Sequence, residues 1–336
     1  MGLVSFALMA LAASACESGV EDDNQTASLG QQAAPSVPAE VRGGKVREVP
    51  SPWPAGACDA VYEFRAHGPD GVDSPFRVPV GGEYHPQIFF DAPWGDEPAQ
   101  VVAWRPLTDN AKVLHHWIVW QGQANLMGWA PGGEGVPEPT EFGTELPGGK
   151  ESLRLDMHYY NLSGAGDELD KSGVVMCVVK GKNLRSKIAA VHGGFNIFSP
   201  LMVPANTKDY DLQGSCTVKA SQPATLLSIA PHAHTRARHM KLTVVKPDGR
   251  EIVLHDAGFS FYDQVGYRFD PPFILEDGDK VNVLCRYDNE SSKNLGWGES
   301  TQDEMCIHWV NYHPKNAFTC GPISFFGARP GAALGR

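Results

Sequence analysis

The sequence has little charge, few basic residues and no apolar run long enough to cross a membrane. Charged residues make up 20% of the 336 positions, and 28 Lys and Arg against 39 Asp and Glu leave a net charge of −11. This balance argues against a nucleic-acid-binding protein, which needs clustered Lys and Arg to neutralise phosphates. The apolar stretch from Gly2 to Ala15 is too short to span a bilayer. No amphipathic helical pattern stands out, which argues against a helical cytosolic enzyme.

Short apolar runs separated by turn residues dominate the remaining sequence. Hydrophobic residues make up 42% of the chain, and the 36 Gly and 26 Pro favour many short strands over long helices. The sequence predicts an all-β fold of two tandem jelly-roll-like β-sandwich domains. Strands are expected at Gln87–Phe90, Gln100–Trp104, Val113–Trp120, Ser152–Tyr160, Val174–Val179, Thr225–Ala230, Lys241–Val245, Lys280–Tyr287 and Met305–Tyr312. Pro247-Asp248-Gly249 predicts a hairpin turn.

The first 50 residues indicate export. Residues 1–16 are typical of a signal peptide and end in small residues before Cys16, as in bacterial lipoproteins, whose cysteine is lipidated. Cleavage by an ordinary signal peptidase is the alternative. Residues 17–50 are predicted to be a flexible tether. We therefore expect a protein in the bacterial cell envelope or secreted, whose contact with a membrane is limited to a lipid anchor.

Histidines form the main chemical signal. His232 and His234 share one face of a strand because side chains alternate along it, so both can chelate one metal ion. His115 and His116 are neighbours and can reach one metal only at a bulge or a distorted strand end. His158 points away from the apolar face of its strand. Surface or satisfied polar histidines, and a core-filling role for Met305, remain alternatives at this point.

Four segments together resemble a known family. They are Leu114-His115-His116, Leu155-Asp156-Met157-His158-Tyr159, His232-Ala233-His234-Thr235 and Asp303-Glu304-Met305-Cys306. From about Pro54 to Phe326 the chain is similar to the copper type II, ascorbate-dependent monooxygenases, the family of peptidylglycine α-hydroxylating monooxygenase and dopamine β-monooxygenase. The resemblance implies an N-terminal copper domain at residues 51–190 and a C-terminal one at residues 191–336.

The same resemblance implies two separate mononuclear copper sites, O2, and ascorbate or another one-electron donor. His115, His116 and His158 would hold the electron-donating copper. His232, His234 and Met305 would hold the copper at which the substrate is hydroxylated. The family also implies the disulfides Cys58–Cys177, Cys216–Cys320 and Cys285–Cys306, which leave Cys16 for lipidation.

Three positions depart from the peptide-hydroxylating members of the family. Ala230 and Trp309 stand where those enzymes carry an Arg and a Tyr that grip the peptide carboxylate, and Asp156 replaces a Gln. Trp309 and Asn311 are expected to line the substrate pocket instead. The sequence thus predicts a monomeric copper monooxygenase that hydroxylates a C–H bond of a small molecule. The alternative is a surface copper-binding lipoprotein without hydroxylase turnover.

Overall fold

The computed structural model describes residues 37–71, 73–138, 140–162, 164–196 and 201–320, with the backbone of residues 324–325 and 329–330. The predicted signal segment and its Cys16 lie outside the described residues. Within these ranges no helix has the length and apolar character needed to cross a membrane.

Strands make up nearly all the regular structure. Those up to residue 180 are β1 (Glu40–Gly44), β2 (Arg47–Glu48), β3 (Ala60–Arg65), β4 (Phe76–Val78), β5 (Gly82–Tyr84), β6 (Gln87–Phe90), β7 (Ala99–Leu107), β8 (Leu114–Gln121), β9 (Ala124–Trp129), β10 (Phe142–Leu146), β11 (Leu153–Asn161), β12 (Glu168–Asp170) and β13 (Gly173–Lys180). A 3-10 turn follows at Gly181–Asn183.

The remaining strands are β14 (Lys187–Asn196), β15 (Met202–Val203), β16 (Thr207–Ala220), β17 (Ala224–His232), β18 (Ala237–Val245), β19 (Glu251–Gly258), β20 (Tyr267–Leu275), β21 (Lys280–Asn289), β22 (Leu295–Gly296), β23 (Ile307–His313), β24 (Phe318–Cys320), β25 (Ser324–Phe325) and β26 (Arg329–Pro330). Each strand expected from the sequence overlaps one of these, so the all-β prediction is confirmed.

The first half is a sandwich of two sheets. One has the order β1-β6-β11-β8-β9 with β5 beside β11, and the other begins β2-β3-β13-β7-β10. Period-two alternation explains the packing, because Leu153, Leu155 and Met157 on one face of β11 are each 1% exposed. They join a core that also contains Phe64 and Met176 from the opposite sheet.

The second half builds another sandwich around its own core, drawn from residues 195–318. One sheet has the order β19-β18-β21-β16-β24, and the other is β14-β23-β17-β20. β14 pairs in parallel with β10 and antiparallel with β23, so one nine-stranded sheet runs through both halves. The two-sandwich fold is confirmed, and the expected boundary between residues 190 and 191 falls within β14.

The predicted tether needs correction at its C-terminal end. Within residues 37–50, β1 pairs in parallel with β6 and β2 pairs with β3. Val41 is 3% exposed and joins the first core. The sequence of residues 37–50 has no apolar periodicity, because an edge strand is held mainly by backbone hydrogen bonds and needs few apolar side chains.

Three disulfides fix the sandwiches, and the hairpin forms as expected. Cys58–Cys177, Cys216–Cys320 and Cys285–Cys306 have Cα–Cα distances of 5.3, 5.6 and 6.0 Å, which confirms the pairing implied by the family resemblance. In the hairpin between β18 and β19, the Gly249 N–H donates to the Lys246 carbonyl at 2.8 Å. The φ of Gly249 is +88°, a conformation that favours glycine.

Candidate metal centre

A β-bulge brings three histidines of the first half together. In the pairing of β8 with β11, His116 lies opposite His158 and Leu114 lies opposite Tyr159, so His115 is the extra residue. The bulge turns adjacent side chains toward a common point, which His115 and His116 need in order to bind one metal ion. One potential ligand atom from each of His115, His116 and His158 lies within 4.8 Å of the others.

The partner of His158 fixes which of its nitrogens can bind a metal. His158 is 1% exposed, and its Nε2 lies 2.5 Å from Oε1 of Glu83. An ionised carboxylate only accepts hydrogen bonds, so Nε2–H is the donor and Nδ1 keeps its lone pair. Nδ1 is buried and finds no hydrogen-bond partner in the part of the chain that the structure describes. A lone pair of this kind is what a metal ion requires.

Charge supports this arrangement. Burial would raise the pKa of Glu83, but the hydrogen bonds from His158 and the Thr301 N–H outweigh it and lower the pKa to about 2. Burial lowers the pKa of His158 to about 4, against the opposing effect of Glu83. At neutral pH the pair is therefore an ionised carboxylate and a neutral imidazole, and a neutral imidazole is the form that binds metals.

His232 and His234 lie at and just beyond the end of β17. The Gln264 amide donates through Nε2 to the Phe261 carbonyl at 3.0 Å, so its Oε1 accepts from His232 Nδ1 at 2.7 Å. His234 Nδ1 donates to the Asp303 carbonyl at 3.1 Å. Both imidazoles thus keep their lone pair on Nε2. For His234, Nε2 is buried without a partner among the described residues.

A buried carboxylate ties His234 to the segment that carries Met305. Glu304 is 0% exposed and accepts the backbone N–H groups of His234 at 3.1 Å and Arg236 at 2.6 Å. Burial raises the pKa of Glu304 to about 7, although these N–H groups lower it. The Tyr287 hydroxyl donates to the Met305 carbonyl at 2.7 Å. The backbone of Met305 is therefore held next to that of His234.

The two groups of histidines lie against each other. The ring centroids of His116 and His232 are 5.4 Å apart, and those of His232 and His234 are 5.5 Å apart. Phe261 from the second half stacks on His115 at 4.1 Å. Burial, with smaller effects of neighbouring histidines, lowers the pKa of His115 and that of His116 far below the usual value of a histidine. Burial also lowers the pKa of His232 and that of His234 to about 4.

Several residues at this centre were not indicated by the sequence. His85 stacks on His158 with ring centroids 4.2 Å apart. It also forms a group with Glu83 and His158 whose potential ligand atoms lie within 4.8 Å of one another. Glu83-x-His85 spacing was the available signal. Gln264 and Phe261 carried no signal, because only the fold brings them to the histidines.

The predicted substrate-pocket residues share one region of the sheet. Ala230 lies directly opposite Trp309, and Ser228 lies opposite Asn311, in the pairing of β17 with β23. Oδ1 of Asn311 is buried and has no hydrogen-bond partner within the described ranges. Asp156 is engaged by Arg154 at 2.7 and 3.0 Å.

Comparisons with known proteins agree with this centre. Residues 191–321 match the family model described as copper type II ascorbate-dependent monooxygenase, C-terminal domain. Dopamine beta-hydroxylase of Rattus norvegicus is 29% identical over 203 residues, which are 56% of this chain and 32% of that protein. The Bos taurus protein of the same name is 30% identical over 202 residues, covering 56% and 33%. The human protein called DBH-like monooxygenase protein 1 is 26% identical over 215 residues, covering 59% and 34%.

The chain spans about a third of the length of these curated relatives. Among solved structures, the major capsid protein P2 of bacteriophage PM2 aligns at 10% identity with a TM-score of 0.27, over 72% of this chain and 99% of that one.

Fold and site define a β-sandwich protein whose neutral, buried imidazoles are suited to a transition metal. Over residues 191–321 the chain is similar to the C-terminal domain of the copper type II ascorbate-dependent monooxygenase family. This family depends on copper, ascorbate and O2, and the resemblance inferred from the four sequence segments is confirmed.

Proposed function

We propose that this protein is a copper-dependent monooxygenase that inserts one atom of O2 into a C–H bond of a small molecule, with ascorbate or another one-electron donor as reductant. It holds two copper ions per chain in two mononuclear sites. The ligands of the first are His115, His116 and His158. Those of the second are His232, His234 and Met305.

The observation that carries the proposal is the hydrogen bonding of the imidazoles. His158, His232 and His234 each donate one ring N–H to an oxygen of the protein, and the other nitrogen is left with a lone pair. Carboxylate, amide and carbonyl acceptors commonly orient metal-binding histidines in this way. A buried imidazole nitrogen without a partner is costly unless a ligand satisfies it.

Copper, when bound, supplies the one-electron chemistry that activates O2. The chain holds the ligands in place and keeps the imidazoles neutral. A thioether at Met305 would favour Cu(I), because soft ligands prefer that oxidation state. Phe261 is 8% exposed and covers His115, which limits the access of water to the first site.

The substrate is expected to be small and without a carboxylate that needs a cationic clamp. Ala230 occupies the position where an Arg would be required, and Arg offers the bidentate geometry that a carboxylate prefers. Trp309, opposite Ala230, offers an aromatic surface, and Asn311 offers an amide oxygen that no described residue hydrogen-bonds. These side chains suit a neutral aromatic compound with a benzylic C–H bond.

The test is oxygen consumption by the copper-loaded protein with ascorbate and a panel of such compounds under ¹⁸O2. We expect substrate-dependent O2 uptake and one ¹⁸O atom in the product. His232→Ala should abolish both, while His239→Ala, which removes a histidine paired with Asp256 outside the centre, should retain them. Copper binding without substrate-dependent uptake across the panel would instead support a copper-binding protein without turnover.

The proposal includes export. Three disulfides are typical of proteins that fold in an oxidising compartment. Lipidation at Cys16, two domains at residues 51–190 and 191–336, and a monomeric state remain parts of the proposal. Mass spectrometry of the mature N-terminus would test lipidation. An N-terminal peptide in which Cys16 carries no added lipid mass would contradict it.

A further inference from the structure

Glu83 is bonded to both halves of the protein at once. Its Oε1 accepts from His158 Nε2 at 2.5 Å and from the Thr301 N–H at 2.8 Å, and its Oε2 accepts from the Ser300 hydroxyl at 2.9 Å. We propose that Glu83 is a positioning residue that couples the two sites. It orients His158 in the first site and fixes the segment that leads to Met305 in the second.

The position of Glu83 follows from the sheet. It lies on β5, opposite Tyr160 of β11, and His158 lies two residues away on the same face of β11. The Glu83 side chain is 14% exposed and that of His158 is 2% exposed. Three hydrogen-bond donors converge on one shielded carboxylate, so its orientation is strongly determined.

The partners of Glu83 in the second half lead directly to the other histidines. Thr301 is 0% exposed, and its carbonyl accepts from the Thr235 hydroxyl at 3.3 Å, one residue beyond His234. Three residues after Thr301, Glu304 binds the His234 N–H. A displacement of Thr301 is therefore transmitted to the backbone that carries both His234 and Met305.

Gln264 makes the reciprocal contact from the second half. Its side chain holds His232, while its backbone N–H donates to the Pro131 carbonyl of the first half at 2.6 Å. In each half, the residue that orients a histidine also bonds the opposite half. Glu83 differs from Gln264 because its side chain makes both contacts, so a single substitution removes them together.

This inference rests on the proposed function for the copper it assigns to each site, but its hydrogen bonds can be tested without metal. The variants are Glu83→Ala, Glu83→Gln and Ser300→Ala. The matched control is Glu63→Ala, which removes a partly shielded carboxylate paired with Arg65 at 2.8 Å on β3. Two quantities are measured in the full chain: amide hydrogen exchange of Thr301 in metal-free protein, and copper affinity of each site by competition with a chelator.

We expect Glu83→Ala to speed exchange of the Thr301 amide at least tenfold and to weaken copper binding at the first site by roughly 10–100-fold, the usual effect of losing the partner of a metal-binding histidine. Binding at the second site should weaken as well, although Glu83 contacts none of its ligands. Glu83→Gln, which keeps an acceptor oxygen, should recover part of each effect. Glu63→Ala should match the wild type.

Faster exchange with unchanged copper affinity at both sites would overturn the proposal and leave Glu83 a purely structural contact. Unchanged exchange in folded Glu83→Ala would overturn it as well. If Glu83→Ala does not fold, Ser300→Ala must show the same changes to a smaller extent, and wild-type values there would contradict the inference. A wild-type protein that binds no copper would contradict the proposed function. Amide hydrogen exchange of Thr301 would still test the hydrogen bonds that join Glu83 to the second half.

Discussion

His116 and His232 lie with their ring centroids 5.4 Å apart and their planes perpendicular, although they belong to different sandwiches. His116 is on β8 of the first half and His232 ends β17 of the second. Hydrogen bonds of Glu83 with Ser300 and of Gln264 with Pro131 join the halves around this pair. The histidines proposed for two copper sites therefore form one buried cluster at the interface.

Met305 provides the sharpest test of the second site. Met305→Leu should leave the fold intact, because Tyr287 and Glu304 hold the backbone of Met305 rather than its side chain. It should abolish hydroxylation and weaken Cu(I) at the second site, since the thioether is the soft ligand. Activity and Cu(I) affinity are the measurements, with circular dichroism to verify folding.

The control for this substitution is Met202→Leu. Met202 is 51% exposed on β15, so the same chemical change there should leave activity at the wild-type level. Full hydroxylase activity in Met305→Leu would remove Met305 from the proposed ligand set.

A buried ion pair makes a separate prediction about stability. Asp279 is 0% exposed, and its Oδ2 accepts from Lys246 Nζ and from the Glu276 N–H, each at 2.8 Å. Lys246→Met removes the cation and leaves the carboxylate buried, which should lower the free energy of unfolding by about 3 kcal/mol. Urea denaturation measures this loss.

An exposed lysine supplies the comparison for Lys246→Met. Lys187 pairs with Glu141 while its side chain is 48% exposed. Lys187→Met should therefore change the free energy of unfolding by less than about 1 kcal/mol. Equal losses of unfolding free energy in the two variants would show that the buried Lys246–Asp279 pair contributes no more to stability than the exposed pair.

A second buried histidine pair predicts how stability depends on pH. His308 Nε2 lies 3.3 Å from His255 Nδ1, and the residues are 0% and 8% exposed. Burial lowers the pKa of His308 to about 3 and that of His255 to about 4. An unfolded histidine has a pKa of about 6.5, so only the unfolded state gains these protons as pH falls from about 6.5 to 4. The free energy of unfolding should decrease over that range.

Comparing variants isolates this contribution. His308→Gln stays neutral, so its unfolding free energy should fall less steeply between pH 6.5 and 4 than that of the wild type. An unchanged slope in His308→Gln would contradict the prediction.

Features with local patterns could be predicted from the sequence. The alternation of apolar and polar residues predicted the strand that carries His158. For His115 and His116 to bind one metal ion the strand had to be irregular there, and the structure has a β-bulge at His115. Glu83, Gln264 and Phe261 could not be predicted, because their roles depend on contacts between residues far apart in the chain. Val41 was missed for a different reason, since a lone apolar residue in a polar segment carries no periodicity.

Copper content of the purified full chain tests the central claim most directly, measured after anaerobic loading and dialysis in the wild type, His158→Ala and His232→Ala. The account predicts two copper ions in the wild type and about one in each variant, because each substitution removes a ligand from a different site. A wild type without copper, or variants that retain two ions, would contradict the assignment of these histidines.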